Sequence, residues 1–271
     1  MIDLHLHTTA SDGRLAPREL VKLAAAAGLR VMAVTDHDTT ASVADVQASA
    51  REHGLEAVAG IEITSVMNGR DVHMLAYFID IADAAFQRFL AAQRAARIAR
   101  LEAIGARLAE LGMPVKLDAA LALARLQSSV SVGRPHVARA MIAAGHAKDS
   151  QDAFERWIGM NRPAFVPRVG PAPEDVVAIV HAAGGLVSVA HPGRTQIDDH
   201  LGPLHEAGLD AIEVYHSDHD AATMDRYEAM ARDLDLLVTG GSDFHDPALA
   251  LRPGAVTLPD VHWQRLRERR H

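Results

Sequence analysis

The chain opens on an alternation. Ile2, Leu4 and Leu6 are separated by Asp3, His5 and His7, the period of two that marks a β-strand. Pro17 to Ala27 follows with apolar residues at helical spacing, opened by a proline and stopped by Gly28. The strand and helix then recur: Val31 to Thr35 predicts a second strand, Ala41 to His53 a helix ended by Gly54, and Ala57 to Thr64 a third strand. After the turn signal Met67-Asn68-Gly69-Arg70, Asp71 to Ile79 predicts a fourth. From Asp83 the period changes. Asp83 to Leu111 is a long helical stretch rich in alanine and arginine, and shorter helical segments run through Asp118 to Gln127, Pro135 to Ala144 and Ser150 to Trp157. Beyond the loop Asn161 to Pro173 the earlier rhythm returns, with helix Pro173 to Ala183, strands Leu186 to Ala190 and Ala211 to Tyr215, helix Ala221 to Leu234 and strand Leu236 to Thr239.

Seven strands alternating with helices predict an α/β fold with a mainly parallel sheet. The 271 residues fit one barrel of about 250 residues plus an insertion. The expected organisation is a barrel built from 1–82 and 170–271, interrupted between strands four and five by a helical insertion or lid, 83–169. A parallel sheet carries its active residues at the carboxyl ends of its strands. The polar residues collect there: His5 and His7 on strand one, Asp36 and His37 after strand two, Glu62 near the end of strand three and His73 in strand four, then His191, Glu213, His216, Asp243 and His245 at strands five to seven.

Composition narrows the chemistry. There are no cysteines but 16 histidines, which excludes disulfides, thiolate zinc sites and a cysteine nucleophile and favours ions held by nitrogen and carboxylate oxygen. A net charge of -8 argues against coating duplex DNA, and few aromatic residues (Phe 6, Tyr 3, Trp 2) leave little for stacking single strands. No run approaches the roughly 18 apolar residues of a membrane span, and Met1 leads directly into the first strand. The expectation is a soluble, cytoplasmic protein with no membrane partner.

His5-Leu6-His7 sets two imidazoles on one face of a strand, where both reach one ion at about 2.0–2.1 Å. Alone this is a weak signal. Thr35-Asp36-His37, Ala190-His191-Pro192-Gly193 and Gly241-Ser242-Asp243-Phe244-His245 add three more strand ends where histidine has no packing reason to gather. The motifs HLHTTASDG, TDHD, GIEIT, DVHMLAY, VAHPGR and GGSDFH, spread over Met1 to Ile79 and Gly170 to Asp246, resemble those of the PHP (polymerase and histidinol phosphatase) family of metal-dependent phosphoesterases. The resemblance implies a distorted (β/α)7 barrel whose rim binds two or three divalent ions. By position it implies that His5, His7, Glu62 and Asp243 hold one ion, Glu62, His73 and His191 a second, and Asp12, His37 and His245 a third, with Glu62, Asp243 and His191 at the catalytic centre. A carboxylate suits the bridge because it has two oxygens to share. Many relatives carry histidine where this sequence has Asp12; the exchange adds anionic charge and favours Mn2+ or Mg2+ over Zn2+. Mn2+ is the first expectation, with Mg2+, Zn2+ and Fe2+ as alternatives. Such cations generate hydroxide for attack at phosphorus, so no serine or cysteine nucleophile is required.

Gly133-Arg134-Pro135-His136 falls at a helix start within the insertion and offers a guanidinium fork, an imidazole and a positive helix end to phosphate. The plainer reading is a helix cap with a solvated arginine. Relatives of this branch carry a similar stretch that helps bind substrate. Arg194, after His191-Pro192-Gly193, is a further phosphate candidate or an exposed loop residue. Arg94, Arg97 and Arg100 recur at spacing three, which predicts a solvated helix face. His53, His146, His181, His200, His205, His262 and His271 lack partner motifs and read as surface residues. The family pattern gives Glu213 and His216 no ligand role, which leaves them open as support for the ligands.

The arrangement resembles the branch containing 3',5'-nucleoside bisphosphate phosphatases and 5'-3' exoribonucleases. It implies a phosphoric monoester hydrolase acting on a small nucleotide. The barrel ions would take the 3'-phosphate of a nucleoside 3',5'-bisphosphate while Arg134 and His136 hold the other. The alternatives are exonuclease action on short 5'-phosphorylated RNA and histidinol phosphate phosphatase activity, which needs a pocket for a cationic amine that the sequence does not reveal. Amidohydrolase chemistry usually expects a strand lysine as the bridging group, and here the bridge is Glu62. A non-catalytic metal scaffold is disfavoured because every ligand position is filled.

Overall fold

The computed structural model describes residues 1–127 and 129–270, so the reading of His271 lies outside the described residues. Seven strands form one sheet in chain order: β1 (Ile2–Leu6), β2 (Val31–Val34), β3 (Glu56–Met67), β4 (Arg70–Tyr77), β5 (Leu186–Val189), β6 (Ala211–His216) and β7 (Leu237–Gly241). Each overlaps the strand its sequence pattern predicts. The sheet curls until its first and last strands meet, with the His7 amide donating to the Phe244 carbonyl (3.0 Å) and the Asp243 amide to the His5 carbonyl (2.9 Å). β7 comes so close to β1 that a Cβ on Gly241 would lie 2.4 Å from the His5 amide nitrogen, so only glycine fits. The result is a distorted seven-stranded α/β barrel.

The sheet is mainly parallel, as expected, with β4 the exception. β1 with β2, β2 with β3, β5 with β6 and β6 with β7 are parallel, but β4 runs antiparallel to both β3 and β5. The cause is local. Asn68 and Gly69 both have positive φ (52° and 74°), the backbone of the two-residue hairpin turn whose twist matches its flanking strands. So short a link cannot cross back to start a parallel strand. The reversal matters for the site because it brings His73, early in β4, opposite Thr64 and beside the rim that the other strands reach at their carboxyl ends.

Helices α1 (Pro17–Ala26) and α2 (Val43–Glu52) cover the first strands, burying Leu20, Val21, Val46 and Ala50 against Leu6, Met32 and Val34. Between β4 and β5 come α3 (Ala84–Glu110), α4 (Asp118–Leu126), α5 (Arg134–Ala143) and α6 (Ser150–Ala153), the last continuing into a π-helical turn, Phe154–Ile158. Asp83 caps α3 by accepting from the Phe86 amide (2.7 Å). These helices share a core of their own, with Leu101, Ile104, Leu108, Val137, Met141 and Ile158 all buried. α7 (Pro173–Ala182), α8 (Pro192–Thr195), α9 (Leu201–Glu206), α10 (Ala221–Asp233) and α11 (Asp260–Arg269) complete the chain. Among the described residues no helix is long and apolar enough to cross a membrane.

One expectation is overturned on α3. Arg97 and Arg100 do not form a solvated face: the Arg97 side chain is 9% exposed and the Arg100 side chain 10%. Arg97 pairs with Asp38 and donates to Thr64 Oγ1 (2.7 Å), and Arg100 donates to Asp71 Oδ2 (2.8 Å). Spacing of three does place arginines on one helix face. The face turns toward the barrel because the barrel rim supplies the carboxylates.

Candidate metal centre

Alternation along β1 puts His5 and His7 on the face opposite Leu4 and Leu6, and both are fully buried. The loop after β1 is drawn over them by Asp36. Its Oδ1 accepts from the Thr8 amide (2.7 Å) and Ser11 Oγ (2.6 Å), and its Oδ2 from Thr8 Oγ1 (2.6 Å) and Ser42 Oγ (2.5 Å). That anchoring brings Asp12 back to the rim and explains the threonine and serine of the opening motif. β3 outruns β2, which pairs with it only from Glu56 to Ala59, so Glu62 stands at rim level, bridged to His37. His191 and Asp243 sit in left-handed backbone (φ 29° and 54°), unusual for residues other than glycine and typical of functional turns.

The predicted ligands converge. His5 Nε2 lies 3.4 Å from Glu62 Oε2 and 3.3 Å from Asp243 Oδ1; His7 Nε2 lies 3.3 and 3.2 Å from the same two oxygens. On the other side of Glu62, Oε1 faces His73 Nδ1 (2.7 Å) and His191 Nε2 (3.1 Å). Around Asp12 stand His245 Nε2 (3.3 Å), His37 Nε2 (3.6 Å) and His7 Nδ1 (3.8 Å). His37 also presents Nδ1 to Glu62 Oε2 at 3.0 Å, so its ring lies between two of the groups.

The electrostatics suit cations. His5 Nε2, both ring nitrogens of His7, His37 Nδ1, His73 Nδ1, His191 Nδ1 and Glu62 Oε2 are buried without a hydrogen-bond partner, a set of orphaned polar atoms that divalent ions would satisfy. Burial opposes charge on His7, yet the facing carboxylates of Asp243, Glu62 and Asp12 outweigh it and push its pKa up to about 10. Burial wins at His37, which falls to about 3 despite Glu62 and Asp12. Burial would raise the Glu62 carboxyl, but His37, His73 and His5 hold it well below its usual range. His245 and His37 do the same for Asp12, and His5 and His245 for Asp243.

Glu213, left open by the sequence, acquires a definite place. Its Oε1 accepts from His5 Nδ1 (2.9 Å) and its Oε2 from the His191 amide (2.7 Å), so one buried carboxylate orients two candidate ligands. His216 Nδ1 accepts from the Asp218 amide (3.1 Å), which leaves the ring proton on Nε2, 3.4 Å from Asp243 Oδ2. His219 Nδ1 donates to the Val214 carbonyl (2.8 Å) while its Nε2 accepts from the Gly193 amide (3.2 Å), pinning the turn that carries His191. Asp38 was not singled out by the sequence, though it closes the Thr35-Asp36-His37-Asp38 motif. Fully buried, it takes Arg97 and Arg168 together with the Thr64 amide (2.9 Å).

A cavity of about 520 Å³ runs from these histidines into the insertion, lined by Glu62, His73 and Asp243 at one end and by Arg100, Arg134, Leu101, Ile104 and Phe154 at the other. Arg134 lies over the Phe154 ring (5.6 Å) and donates to Asp71 Oδ2 (3.0 Å). His136 is placed differently. Its Nδ1 accepts from the Gly133 amide (3.2 Å), capping α5, and burial and Arg139 lower its pKa to about 4. Arg194 is half exposed at the rim, 3.1 Å from Asp218 and 3.4 Å from Asp243. The remaining histidines read as surface residues, among those described, are partly or fully exposed.

Comparison with known proteins identifies the family. The PHP domain matches residues 3–116. The chain is 34% identical to a 5'-3' exoribonuclease of Haemophilus influenzae, covering 90% of each protein. It is 32% identical to a 3',5'-nucleoside bisphosphate phosphatase of Chromobacterium violaceum, over 91% of this chain and 87% of that one. A solved structure of a proposed metal-dependent phosphoesterase from Bifidobacterium adolescentis superposes with a TM-score of 0.89 at 35% identity, over 98% of this chain and 94% of the other.

Proposed function

This chain belongs to the PHP family of metal-dependent phosphoesterases, and from that premise we propose that it removes the 3'-phosphate from nucleoside 3',5'-bisphosphates. One observation carries the proposal: a single cavity is lined both by the candidate cation ligands and by Arg134 of the insertion. A substrate bearing two phosphates can present one to each end. The Chromobacterium relative is named for that activity.

His5, His7, Glu62 and Asp243 would hold one divalent ion, Glu62, His73 and His191 a second, and Asp12, His37 and His245 a third, with Mn2+ favoured by the mixed nitrogen and carboxylate donors. Bound there, the ions supply positive charge to the phosphate oxygens and acidify water. The protein's own residues do the rest. Glu213 fixes the His5 ring and the His191 turn. Arg194, at the mouth, donates a charge-assisted hydrogen bond to the reacting phosphate. Arg134 takes the second phosphate, and His136 holds the start of α5 that carries it. Residues 83–169 act as lid and ruler over the barrel of 1–82 and 170–271, which sets the distance between the two phosphates.

The test is phosphate release by Mn2+-loaded protein, with its metal content measured, across mononucleotides, nucleoside 3',5'-bisphosphates, short 5'-phosphorylated RNAs and histidinol phosphate. Two or three metal equivalents and fastest release from the bisphosphates are expected. Faster nucleotide release from RNA would move the reading to an exonuclease. Full metal loading with no release from any of them would end it.

A further inference from the structure

The insertion does more at the barrel rim than cover it. Asp12 and His37 stand on the loops that follow β1 and β2, and both loops are tied to residues of 83–169. The Ser131 amide donates to the Ala10 carbonyl (2.8 Å), and Arg139, on α5, donates through Nη1 to the carbonyl of Asp12 itself (3.1 Å). On the second loop Thr39 Oγ1 donates to the Ser129 carbonyl, Arg94 donates to the Asp38 carbonyl (3.1 Å), and Gln87 Nε2 donates to Thr40 Oγ1 (3.0 Å). Val130, Ser131 and Val132 are buried, so the chain entering α5 is packed against the rim. His245 shares the first loop's support, since the Arg14 amide donates to its carbonyl (2.8 Å). The remaining candidate ligands are held from within the barrel. His5, His7, Glu62 and His73 stand on or beside β1, β3 and β4, Glu213 and His219 fix the His191 turn, and the Asp243 amide donates to the His5 carbonyl.

We propose that Arg139 and Thr39 are positioning residues for the group Asp12, His37 and His245, so that the insertion completes one cation site of a centre whose other two are set by the barrel. The inference rests on the reading above that these three residues hold one ion. The argument is one of aim. Asp36 anchors the loop after β1 as far as Ser11, through the Thr8 amide and Ser11 Oγ, and the next residue is the ligand Asp12. Its backbone is fixed by the charge-assisted hydrogen bond from Arg139. His37 is followed directly by Asp38 and Thr39, both tied to the insertion. Removing Arg139 or Thr39 leaves every ligand atom in the chain but frees the backbone that directs it, and loss of such supporting contacts costs about 10- to 100-fold in metal affinity. The ions held by the barrel should not feel the change.

The experiment counts and ranks the Mn2+ equivalents of the full chain by equilibrium dialysis. The parent should take up three, and Asp12→Asn should lose one of them. Arg139→Met, which keeps the stem but removes the donor, and Thr39→Val, which keeps the shape but removes the hydroxyl, should each weaken one equivalent by about tenfold or more and leave the other two within about twofold. Arg139→Lys, which restores a cationic donor, should recover part of the loss. Combined with Asp12→Asn, Arg139→Met should add nothing, because both act on the same ion. A merely structural role would weaken all three equivalents together or none. Parent affinity at every site in folded Arg139→Met and Thr39→Val, or an equal loss at all three, would overturn the positioning role while leaving the Asp12 group in place. Should Arg139→Met fail to fold, Thr39→Val decides. A parent that binds only two equivalents, or an Asp12→Asn protein that still binds three, would remove the Asp12 group and the inference with it.

Discussion

Glu213→Gln exchanges one oxygen for an NH2 group at nearly constant shape, yet it should weaken Mn2+ binding about 10- to 100-fold. The reason lies in which atoms Glu213 serves. Both its oxygens accept, one from His5 Nδ1 (2.9 Å) and one from the His191 amide (2.7 Å), in a site with no exposure. A glutamine has one acceptor oxygen and one donor nitrogen. If its oxygen stays with the His191 amide, its NH2 faces His5 Nδ1, which must then accept. The ring proton moves to Nε2, the atom that looks onto Glu62 and Asp243 (3.4 and 3.3 Å), and the lone pair a cation needs is lost. If the glutamine flips, its NH2 opposes the His191 amide. A buried donor goes unpaired, at about 1–3 kcal/mol, and the turn that holds His191 at φ 29° is released. Both outcomes fall near the 1.4–2.7 kcal/mol that about 10- to 100-fold represents. Competition for Mn2+ against a fluorescent chelator measures the effect, with an unfolding curve to show that the variant is folded. Mn2+ affinity within twofold of the parent in a folded Glu213→Gln protein would refute the idea that Glu213 sets the His5 tautomer.

Three further outcomes are expected. Glu62→Gln should abolish turnover while the protein stays folded; activity kept within about tenfold, 1.4 kcal/mol of barrier, would show that Glu62 is not the bridge between ions. Asp38→Asn should destabilise the protein by about 3–5 kcal/mol in urea unfolding, because it leaves Arg97 and Arg168 buried without their counter-charge; a loss under about 1 kcal/mol would contradict this. Arg97 and Arg168 outweigh burial and hold the Asp38 carboxyl near 2, below its ordinary 3.8, so its contribution is present above about pH 4 and fades only as pH falls toward 2. Finally, a cation entering beside His7 must displace the proton that Asp243 and Glu62 hold there up to about pH 10. Apparent Mn2+ affinity should therefore rise with pH across the neutral range, about tenfold per unit for each proton displaced, with protons released into buffer on binding. Calorimetry in buffers of different ionisation enthalpy would detect them, and binding without proton release would count against His7 as a ligand.

What the sequence made legible was set by how local each signal was. The histidines at strand ends could be read because a strand fixes where its own residues point, and His5 and His7 need only the period of two. The reversal of β4 was also within reach, since Asn68-Gly69 is the turn of a two-residue hairpin; the strand and helix rhythm predicted a mainly parallel sheet and did not single β4 out. Arg97 and Arg100 were misjudged for a different reason. Their partners, Asp38 and Asp71, lie 59 and 29 residues away in the chain, so nothing local distinguishes a face turned to solvent from one turned to a carboxylate-bearing rim. Glu213 and His219 act through backbone amides of the turn at His191 and Gly193, contacts that leave no trace in spacing at all.

The acids of this site divide by partner, and the division separates its two ends. Glu62, Asp12 and Asp243 face imidazoles, whose protons a cation can replace, so the charge at the barrel rim changes with pH and with metal. Asp38 and Asp71 face guanidinium groups, which stay charged throughout the range in which the protein works. The insertion is therefore docked by pairs that neither metal loading nor neutral pH disturbs, and the arginine end keeps its charge when the rim is being assembled. On the proposed reading, a substrate with two phosphates would meet a constant anchor at one end and a metal-dependent centre at the other. On that arrangement recognition does not wait on the ions, and chemistry does.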